Sequence, residues 1–501
     1  MSKLSRLTRN SLIVAFFFLI DKVLAFVRAG IISRQFSGSV HLLDTFNAAN
    51  NLPDVLFALI SGGALAMAFI PLLTEYLTTR DRAAAWDLFS RVANVAFLVT
   101  GSIAILIAIF AQQLVDAKLG IAPGFGEEQR KLLAELMRLN LIGTIIFSIS
   151  GLVMASLQAN QHFILPAIAP SLYNLGQIFG AIFLVPRFGI HGLVYGVILG
   201  ATFHLLIQVP ALFMFGFHWT PSLNLRHTGL IEALKLMAPR LLTMAGIQII
   251  VLARDNLASR LDQVGAVTSL TYGWMIMQVP ETILGTAIAT AMLPALSELA
   301  ARRDWAGFRS TIERTLRVLI SLTIPIAAVM AAGIHPLVRG VFGFDETTST
   351  LITWTTRAYL LALTGFAIHE IASRSFYARK EPMFPLYAVV LRIIMFLGIS
   401  FIGLTFFKGI GAPIIALAEI ALLVEAIILF SWLSKRTHEP IHVGAAIVKG
   451  LVAAVVSGVV TYAVALYLPG GAIVTALIGI VVGGLIALAI VWSDAKQLFN
   501  L

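Results

Sequence analysis

Long apolar stretches alternate with short polar connections along the whole chain. A helix of about 20 apolar residues crosses the roughly 30 Å of hydrocarbon in a bilayer, and about fourteen stretches reach that length. We predict spanning helices near residues 10–33, 45–70, 88–114, 133–157, 163–186, 190–216, 231–259, 266–296, 312–340, 351–375, 383–406, 411–433, 443–467 and 471–492. The pattern predicts an all-α polytopic membrane protein.

Composition supports the same class. The 501 residues are 59% hydrophobic and only 12% charged, and the mean hydropathy is +0.92, which excludes a soluble globular protein. The chain has no cysteine, so disulfides, thiolate metal sites and cysteine nucleophiles are excluded. The first apolar run is followed by charge instead of a small-residue cleavage site, so we expect no cleavable signal peptide.

The positions of lysine and arginine in the loops predict the orientation. If both termini are cytoplasmic, most loop cations fall on the cytoplasmic side, as the positive-inside rule requires. The net charge of +10 then reflects topology, and no nucleic-acid partner is expected. We therefore predict a multi-pass protein of the cytoplasmic membrane.

An internal repeat organises the chain. The stretch VRAGIISR at 27–34 returns as ARDNLASR at 253–260, so that Arg28 corresponds to Arg254 at an offset of 226 residues. Pro53-Asp54, Asp81 and Trp86 return in the same order as Pro280-Glu281, Asp304 and Trp305, and Ala159 and Pro166 return as Ala378 and Pro385. Two like lobes of six spans have the same orientation and typically enclose a site near the membrane midplane. We predict a first lobe over 1–222, a second over 223–439, and two further helices over 440–501.

Ionisable residues inside the predicted spans are the candidate functional residues. A charge at membrane depth is costly and is by default functional. Those on or beside the repeated lead helices are Lys22, Arg28, Asp44, Arg254, Asp255 and Arg260. Cations outnumber acids there, which indicates an anionic ligand such as phosphate or carboxylate.

Other charged or small residues predict packing and ion pairs. Glu370 and Arg374 are four residues apart and can pair on one helix face. Arg392, Glu419 and Glu425 have no such neighbour in their own helices, so each must find water, a cation or an opposite charge elsewhere. The glycines at 192, 196 and 200 form a small-residue face that lets two helices approach closely.

The chain lacks the motifs of the common enzyme classes. It has no GxxxxGK[ST] loop, no HExxH, no GxSxG and no histidine cluster with metal-ligand spacing. We therefore expect no enzymatic activity, no cofactor and no metal. Two like lobes with charged lead helices fit a transporter that works by alternating access.

Four stretches, in order, resemble the MurJ (MviN) lipid II flippases of the multidrug/oligosaccharidyl-lipid/polysaccharide exporter superfamily. They are LPDVLFALISGGALAMAFIPLLTEY, LQANQHFILPAIAPSLYNLGQI, FGIHGLVYGVILGATFHLLIQVP and LTYGWMIMQVPETILGTAIATAMLPALSEL. The resemblance implies fourteen spans, a central cavity lined by spans one, two, seven and eight, and a hydrophobic groove made with spans thirteen and fourteen. It also implies a monomer that moves lipid-linked peptidoglycan precursor to the outer leaflet. Cavity arginines would hold the diphosphate of this precursor, and membrane lipids would be the other partners.

The resemblance carries over to some site positions and not to others. Arg28 and Asp44 match a cavity Arg and a cavity Asp, and Lys22 stands where the family usually has Arg. Ala29 replaces a position that is often acidic, and Phe57 one that often holds Arg. Gly62 likewise replaces an acidic residue, and Trp274-Met275 occupies the place of another Arg. Arg254, which the family does not lead one to expect, is a candidate replacement for one missing cation.

Three function classes stay open at this point. The first is a flippase for lipid II or for another polyprenyl-diphosphate-linked glycan. The second is a small-molecule antiporter of the same superfamily, and the third is a scaffold in envelope assembly.

Some relatives bind sodium through an acid on span seven and oxygen ligands on span eleven. Here span eleven has Arg392 and Phe396 instead, so we predict an Asp255–Arg392 ion pair in place of the sodium.

Overall fold

All regular secondary structure among the described residues is helical. The computed structural model describes residues 6–62, 64–224, 226–379, 381, 383–407, 409–436 and 441–497, and no strand occurs among them. The chain divides into two compact units, Met1–Arg260 and Leu261–Leu501. The predicted all-α membrane fold is therefore confirmed.

The described residues of the first unit form eleven α-helices and two π-helical segments. The α-helices are α1 (Arg6–Gln35), α2 (Val40–Leu56), α3 (Ala64–Thr79), α4 (Arg82–Ile109), α5 (Ala111–Asp116), α6 (Glu127–Ala159), α7 (Ile164–Phe179), α8 (Val185–Phe188), α9 (His191–Leu206), α10 (Val209–Met214) and α11 (Thr228–Ser259). The π-helical segments are Phe57–Gly62, between α2 and α3, and Gly180–Leu184, between α7 and α8.

In the second unit, the part of the chain that the structure describes forms ten α-helices and one π-helical segment. The α-helices are α12 (Ala266–Pro280), α13 (Ala287–Ala301), α14 (Trp305–Phe342), α15 (Glu346–Leu361), α16 (Leu363–Ala378), α17 (Met383–Phe406), α18 (Ala412–Leu417), α19 (Ile420–Arg436), α20 (Gly444–Tyr467) and α21 (Ala472–Ala495). The π-helical segment is Glu281–Thr286, between α12 and α13.

The described residues hold nine helices long and apolar enough to cross a bilayer, or ten if the bent pair α15 and α16 is one span. The predicted count of fourteen is not confirmed. Two of the predicted spans, 45–70 and 266–296, are each divided by a π-helical segment.

The local structure of the two repeats is alike. A π-helical segment follows Pro53-Asp54 in the first repeat and begins at Glu281, directly after Pro280, in the second. Proline removes an intrahelical hydrogen bond, and π-bulges are a common way to absorb the disturbance. Asp81 and Asp304 both cap the next helix, since their carboxylates accept from the backbone N–H of Ala84 and Gly307.

In the first unit, glycines bring α9 close to α7 and to the π-helical segment Gly180–Leu184 that follows α7. A Cβ atom on Gly180 would lie 2.5 Å from the Cα of Gly196, and one on Gly196 would lie 2.9 Å from the Cα of Gly180. Gly176 and Gly200 meet in the same way one turn further along. The predicted small-residue packing face is confirmed.

Each unit has its own apolar core. In the first unit, Phe69, Trp86 and Phe89 pack with residues of α6 and α10. In the second, Phe308, Phe376 and Leu429 bring α14, α16 and α19 together. The helices α20 and α21 pack on α14, where Ala453 and Val491 cover Val318 and Leu322.

The division into units differs from the division drawn from the repeat. Helix α11, which opens the second repeat, belongs to the first compact unit, and the boundary lies after Arg260. The repeat is defined by residues that recur along the sequence, whereas the compact units are defined by contacts within the fold. The boundaries at 222 and 439 therefore stay a prediction about the repeat.

Candidate functional site

Helix α2 presents a row of polar side chains. Asp44, Asn51 and Asp54 are spaced by seven and three residues, which places them on one helix face. Asp44 is only 4% exposed and Asn51 only 6%, while Asp54 is exposed. Beside this row, Asn140 on α6 donates to the side-chain oxygen of Asn50 at 2.7 Å. The helix therefore carries hydrogen-bonding groups to which side chains of other helices can pair.

One partner of this row is the carboxylate of Asp255 on α11. Asp255 is fully buried, and the side-chain amide of Asn51 donates to its Oδ2. Arg254 Nε donates to Oδ1 of the same carboxylate at 2.7 Å. A buried carboxylate is tolerated when it has both an opposite charge and further hydrogen bonds, and Asp255 has both.

The charged residues of α1 form a second group. Asn174 on α7 donates to Asp21 Oδ1 at 2.7 Å. The charges of Lys22 and Arg28 both act on Asp21, and the charge of Arg28 also acts on Asp54 of α2. Arg28 thus lies within electrostatic range of acidic side chains on two helices, and both it and Lys22 are half-buried. The predicted cations of α1 lie in a polar environment inside the first unit.

Arg260 lies at the end of α11 and is exposed. Its Nη2 donates to the carbonyl oxygen of Lys118, and its Nε donates to Asn256 Oδ1 at 3.1 Å. Asn256 donates in turn to the carbonyl oxygen of Gly120 at 2.5 Å. These bonds attach the loop after α5 to the end of α11, so the contacts of Arg260 favour a structural role there.

The second unit contains a buried charged cluster. Arg392 on α17 donates from Nη2 to Glu419 Oε2 at 2.7 Å, and its Nη1 lies 3.8 Å from Glu425 Oε2. His369 Nδ1 on α16 lies 3.4 Å from Glu425 Oε1. The expectation that Arg392, Glu419 and Glu425 find opposite charges outside their own helices is confirmed. So is the Glu370–Arg374 pair, at 2.8 Å.

These contacts bear on the predicted Asp255–Arg392 pair. Asp255 is neutralised by Arg254, and Arg392 by Glu419. Each charge therefore has a counter-charge within its own unit. The Asp255–Arg392 pair stays a prediction.

Several contributing residues were not recognised from the sequence as partners of the charges. These residues are Asn51, Asn174 and His369. The available signal was the same for all three: a polar side chain within an apolar helix needs a partner. Among the described residues, no group of three His, Asp or Glu side chains is placed to hold a metal ion.

Comparison with known proteins identifies a family for this chain. The family described as "Lipid II flippase MurJ" matches residues 34–482. Lys22 and Arg28 lie before that range, whereas Asp44, Arg254, Asp255, Arg260 and Arg392 lie within it.

Curated relatives with this description match the chain over most of their length. The chain is 29% identical over 425 residues to "Lipid II flippase MurJ" of Burkholderia cenocepacia, covering 81% of each protein. It is 26% identical over 476 residues to "Probable lipid II flippase MurJ" of Haemophilus influenzae, covering 90% of this chain and 91% of the relative.

Solved structures show the same fold. A structure titled "Lipid II flippase MurJ, inward closed conformation" matches with a TM-score of 0.81 at 21% identity, covering 97% of this chain and all of that one. An inward-facing multidrug resistance MATE family transporter of the MOP superfamily matches with a TM-score of 0.72 at 15% identity, covering 83% of this chain and 94% of that one. At these sequence identities the two structures support the fold alone.

Proposed function

Because this chain belongs to the MurJ family of lipid II flippases, we propose that it moves lipid II from the inner to the outer leaflet of the cytoplasmic membrane. The family match over residues 34–482 carries this proposal. The polyprenyl-diphosphate-linked glycan and the surrounding membrane lipids are its partners. Transport then proceeds by alternating access, without covalent chemistry and with both termini in the cytoplasm.

We assign the diphosphate to the half-buried cations Lys22, Arg28 and Arg254. Arginine forms paired, charge-assisted hydrogen bonds with phosphate oxygens, and such bonds strengthen where water is scarce. Arg28 acts on Asp21 and Asp54, and Arg254 on Asp255. The acids keep these cations in place when no substrate is bound, and a diphosphate offers them a stronger partner. Asp44 is assigned to the same polar face of α2.

The polyprenyl tail is assigned to α20 and α21. Their outward faces are apolar, with Val455, Val459 and Val481 more than half exposed. Their other faces are committed to α14, since a Cβ on Gly450 or Gly458 would meet Ile324 or Ala328. A long isoprenoid chain needs an apolar wall of this kind, which the exposed side provides.

A second candidate is a flippase for another polyprenyl-diphosphate-linked glycan. The observation that favours it is the replacement of two usual cavity cations by Phe57 and Trp274-Met275. The diphosphate and tail sites are common to both candidates, so only the glycan differs. A small-molecule antiporter is the third possibility, on the likeness of fold to the MATE transporter alone.

The test is depletion of the protein, followed by measurement of lipid II in each leaflet. We expect lipid II to accumulate in the inner leaflet, and re-expression to restore its export. A normal lipid II distribution with inner-leaflet accumulation of a different polyprenyl-diphosphate glycan would establish the second candidate. Normal distribution of all such lipids, together with altered drug efflux, would establish the antiporter.

A further inference from the structure

The buried charged cluster of the second unit has no part in the diphosphate or tail sites assigned above. It joins three helices: His369 lies on α16, Arg392 on α17 and Glu425 on α19, and Glu419 lies just before α19. Glu425 is fully buried, and Arg392 and Glu419 are each only 5% exposed. Charges at this depth are not solvated by water, so their own balance decides which protonation state is stable.

Counting charges shows an imbalance. Arg392 supplies one positive charge against the two carboxylates of Glu419 and Glu425. The guanidinium is committed to Glu419 at 2.7 Å, whereas its nearest approach to Glu425 is 3.8 Å. Glu425 is thus the less compensated acid, and an isolated ionised carboxylate in such a place neutralises itself by taking up a proton.

The atoms that would share this proton face each other. His369 Nδ1 and Glu425 Oε1 are 3.4 Å apart. Both oxygens of Glu425 and the Nδ1 of His369 are buried and make no hydrogen bond in the described structure. A proton between the imidazole and the carboxylate satisfies both side chains and cancels the excess negative charge.

The other charged groups near the cluster do not remove the imbalance. Glu370, next to His369, is paired with Arg374. Glu281, on the π-helical segment packed against α16, accepts hydrogen bonds from the hydroxyls of Thr282 and Thr286. The neighbour of Arg392 from α16 is the Phe366 ring, 5.6 Å from the guanidinium carbon. None of these adds a positive charge to Glu425.

We propose that His369, Arg392, Glu419 and Glu425 form a proton-binding site, in which one proton lies between His369 and Glu425 while Arg392 and Glu419 stay ionised. The site takes up one proton from solvent, and only bonds to that proton are made or broken. The guanidinium beside both carboxylates repels a metal cation, which favours the proton as the ligand. Release of the proton leaves a net negative charge at the contact of α16, α17 and α19, and that charge weakens the contact.

The experiment measures the unfolding equilibrium of the full-length protein in detergent micelles from about pH 5 to about pH 10, a range that covers carboxyl and imidazole titration. A folded protein that keeps a proton which the unfolded chain has released loses stability as pH rises. For one proton the folding equilibrium constant falls about tenfold per pH unit within that window. We expect this dependence in the wild type and its absence in Glu425→Gln.

Two further variants keep the result decisive. Glu370→Gln is the matched control. It removes a carboxylate of the same region that is already paired with Arg374, so the wild-type dependence of stability on pH should remain. Glu419→Gln lets Arg392 neutralise Glu425 without a proton and should also abolish the dependence, which covers the case in which Glu425→Gln does not fold. If the wild type and whichever of these two cluster variants folds share the same pH profile, the cluster binds no proton and the proposal fails. Transport is not part of the readout, so the outcome is independent of the flippase assignment.

Discussion

The side-chain amide of Asn51 donates to the carboxylate of Asp255, although the two residues are 204 positions apart in the chain. Asn51 lies on α2, the second helix of the first repeat, and Asp255 on α11, the opening helix of the second. Arg254 bonds the other oxygen of the same carboxylate. Arg254 is a proposed ligand of the substrate. Its position therefore depends on the hydrogen bond that the Asn51 amide on α2 donates to Asp255.

The first prediction concerns this bond. Asn51→Ala leaves one oxygen of Asp255 without its donor, at a cost of roughly 1–3 kcal/mol in the free energy of unfolding. Asn51→Asp costs more, because it places two carboxylates against each other and draws Arg254 between them. We expect transport to fall in both variants and further in Asn51→Asp. Equal activity of the two would mean that the charge next to Arg254 is unimportant.

The second prediction concerns Arg28. Arg28→Ala removes the cation whose charge acts on Asp21 and Asp54 and should abolish complementation of a flippase-depleted strain. Arg28→Lys should retain part of it because the charge remains. The control is Arg187→Ala, which removes an exposed cation of the same kind from α8. Full complementation by an Arg28→Ala protein present at the wild-type level in the membrane would place the diphosphate site elsewhere.

The third prediction separates two roles of Arg260. If it attaches the loop after α5 to α11, Arg260→Ala should speed hydrogen exchange of the amides at 118–124 and lower transport only modestly. A ligand of the diphosphate would instead behave as Arg28 does, with transport lost and loop exchange unchanged. Hydrogen-exchange mass spectrometry and the complementation assay on the same variant distinguish these results.

The fourth prediction tests the close approach of α7 and α9. A Cβ on Gly196 would lie 2.9 Å from the Cα of Gly180 and 3.2 Å from that of Gln177, so Gly196→Ala should cost roughly 1–3 kcal/mol through overpacking. The matched control is Gly101→Ala on α4, where a Cβ would meet nothing within 4 Å. Thermal unfolding of the purified variants is the measurement. A Gly196→Ala protein as stable as Gly101→Ala would show that the helices can separate freely.

The fifth prediction concerns the tail site on α20 and α21. A chain ended after residue 439 should keep the contacts among α14, α16 and α19 and still insert, since the face of α14 that it uncovers is apolar. It should no longer transport. Monodispersity and melting of the truncated protein control for folding. A folded truncated protein that still transports would exclude the proposed tail groove.

The sequence by itself determined the class, the repeat and the location of the charges. Long apolar runs predict spans because a span depends on residues within a few turns, and the recurrence of VRAGIISR as ARDNLASR depends on residue identity alone. The Glu370–Arg374 pair was predictable for the same reason: both residues lie on one helix face.

Only the tertiary structure decided which residues the buried charges meet. Asp21 bonds Asn174 at a separation of 153 residues, and Arg392 bonds Glu419 at a separation of 27. Hydropathy shows that a charge inside an apolar helix needs a partner, but it does not show which neighbouring helix faces it. That choice depends on helix packing, and the Asp255–Arg392 pair was inferred without it. Within each unit, Arg254 gives Asp255 a counter-charge and Glu419 gives Arg392 one.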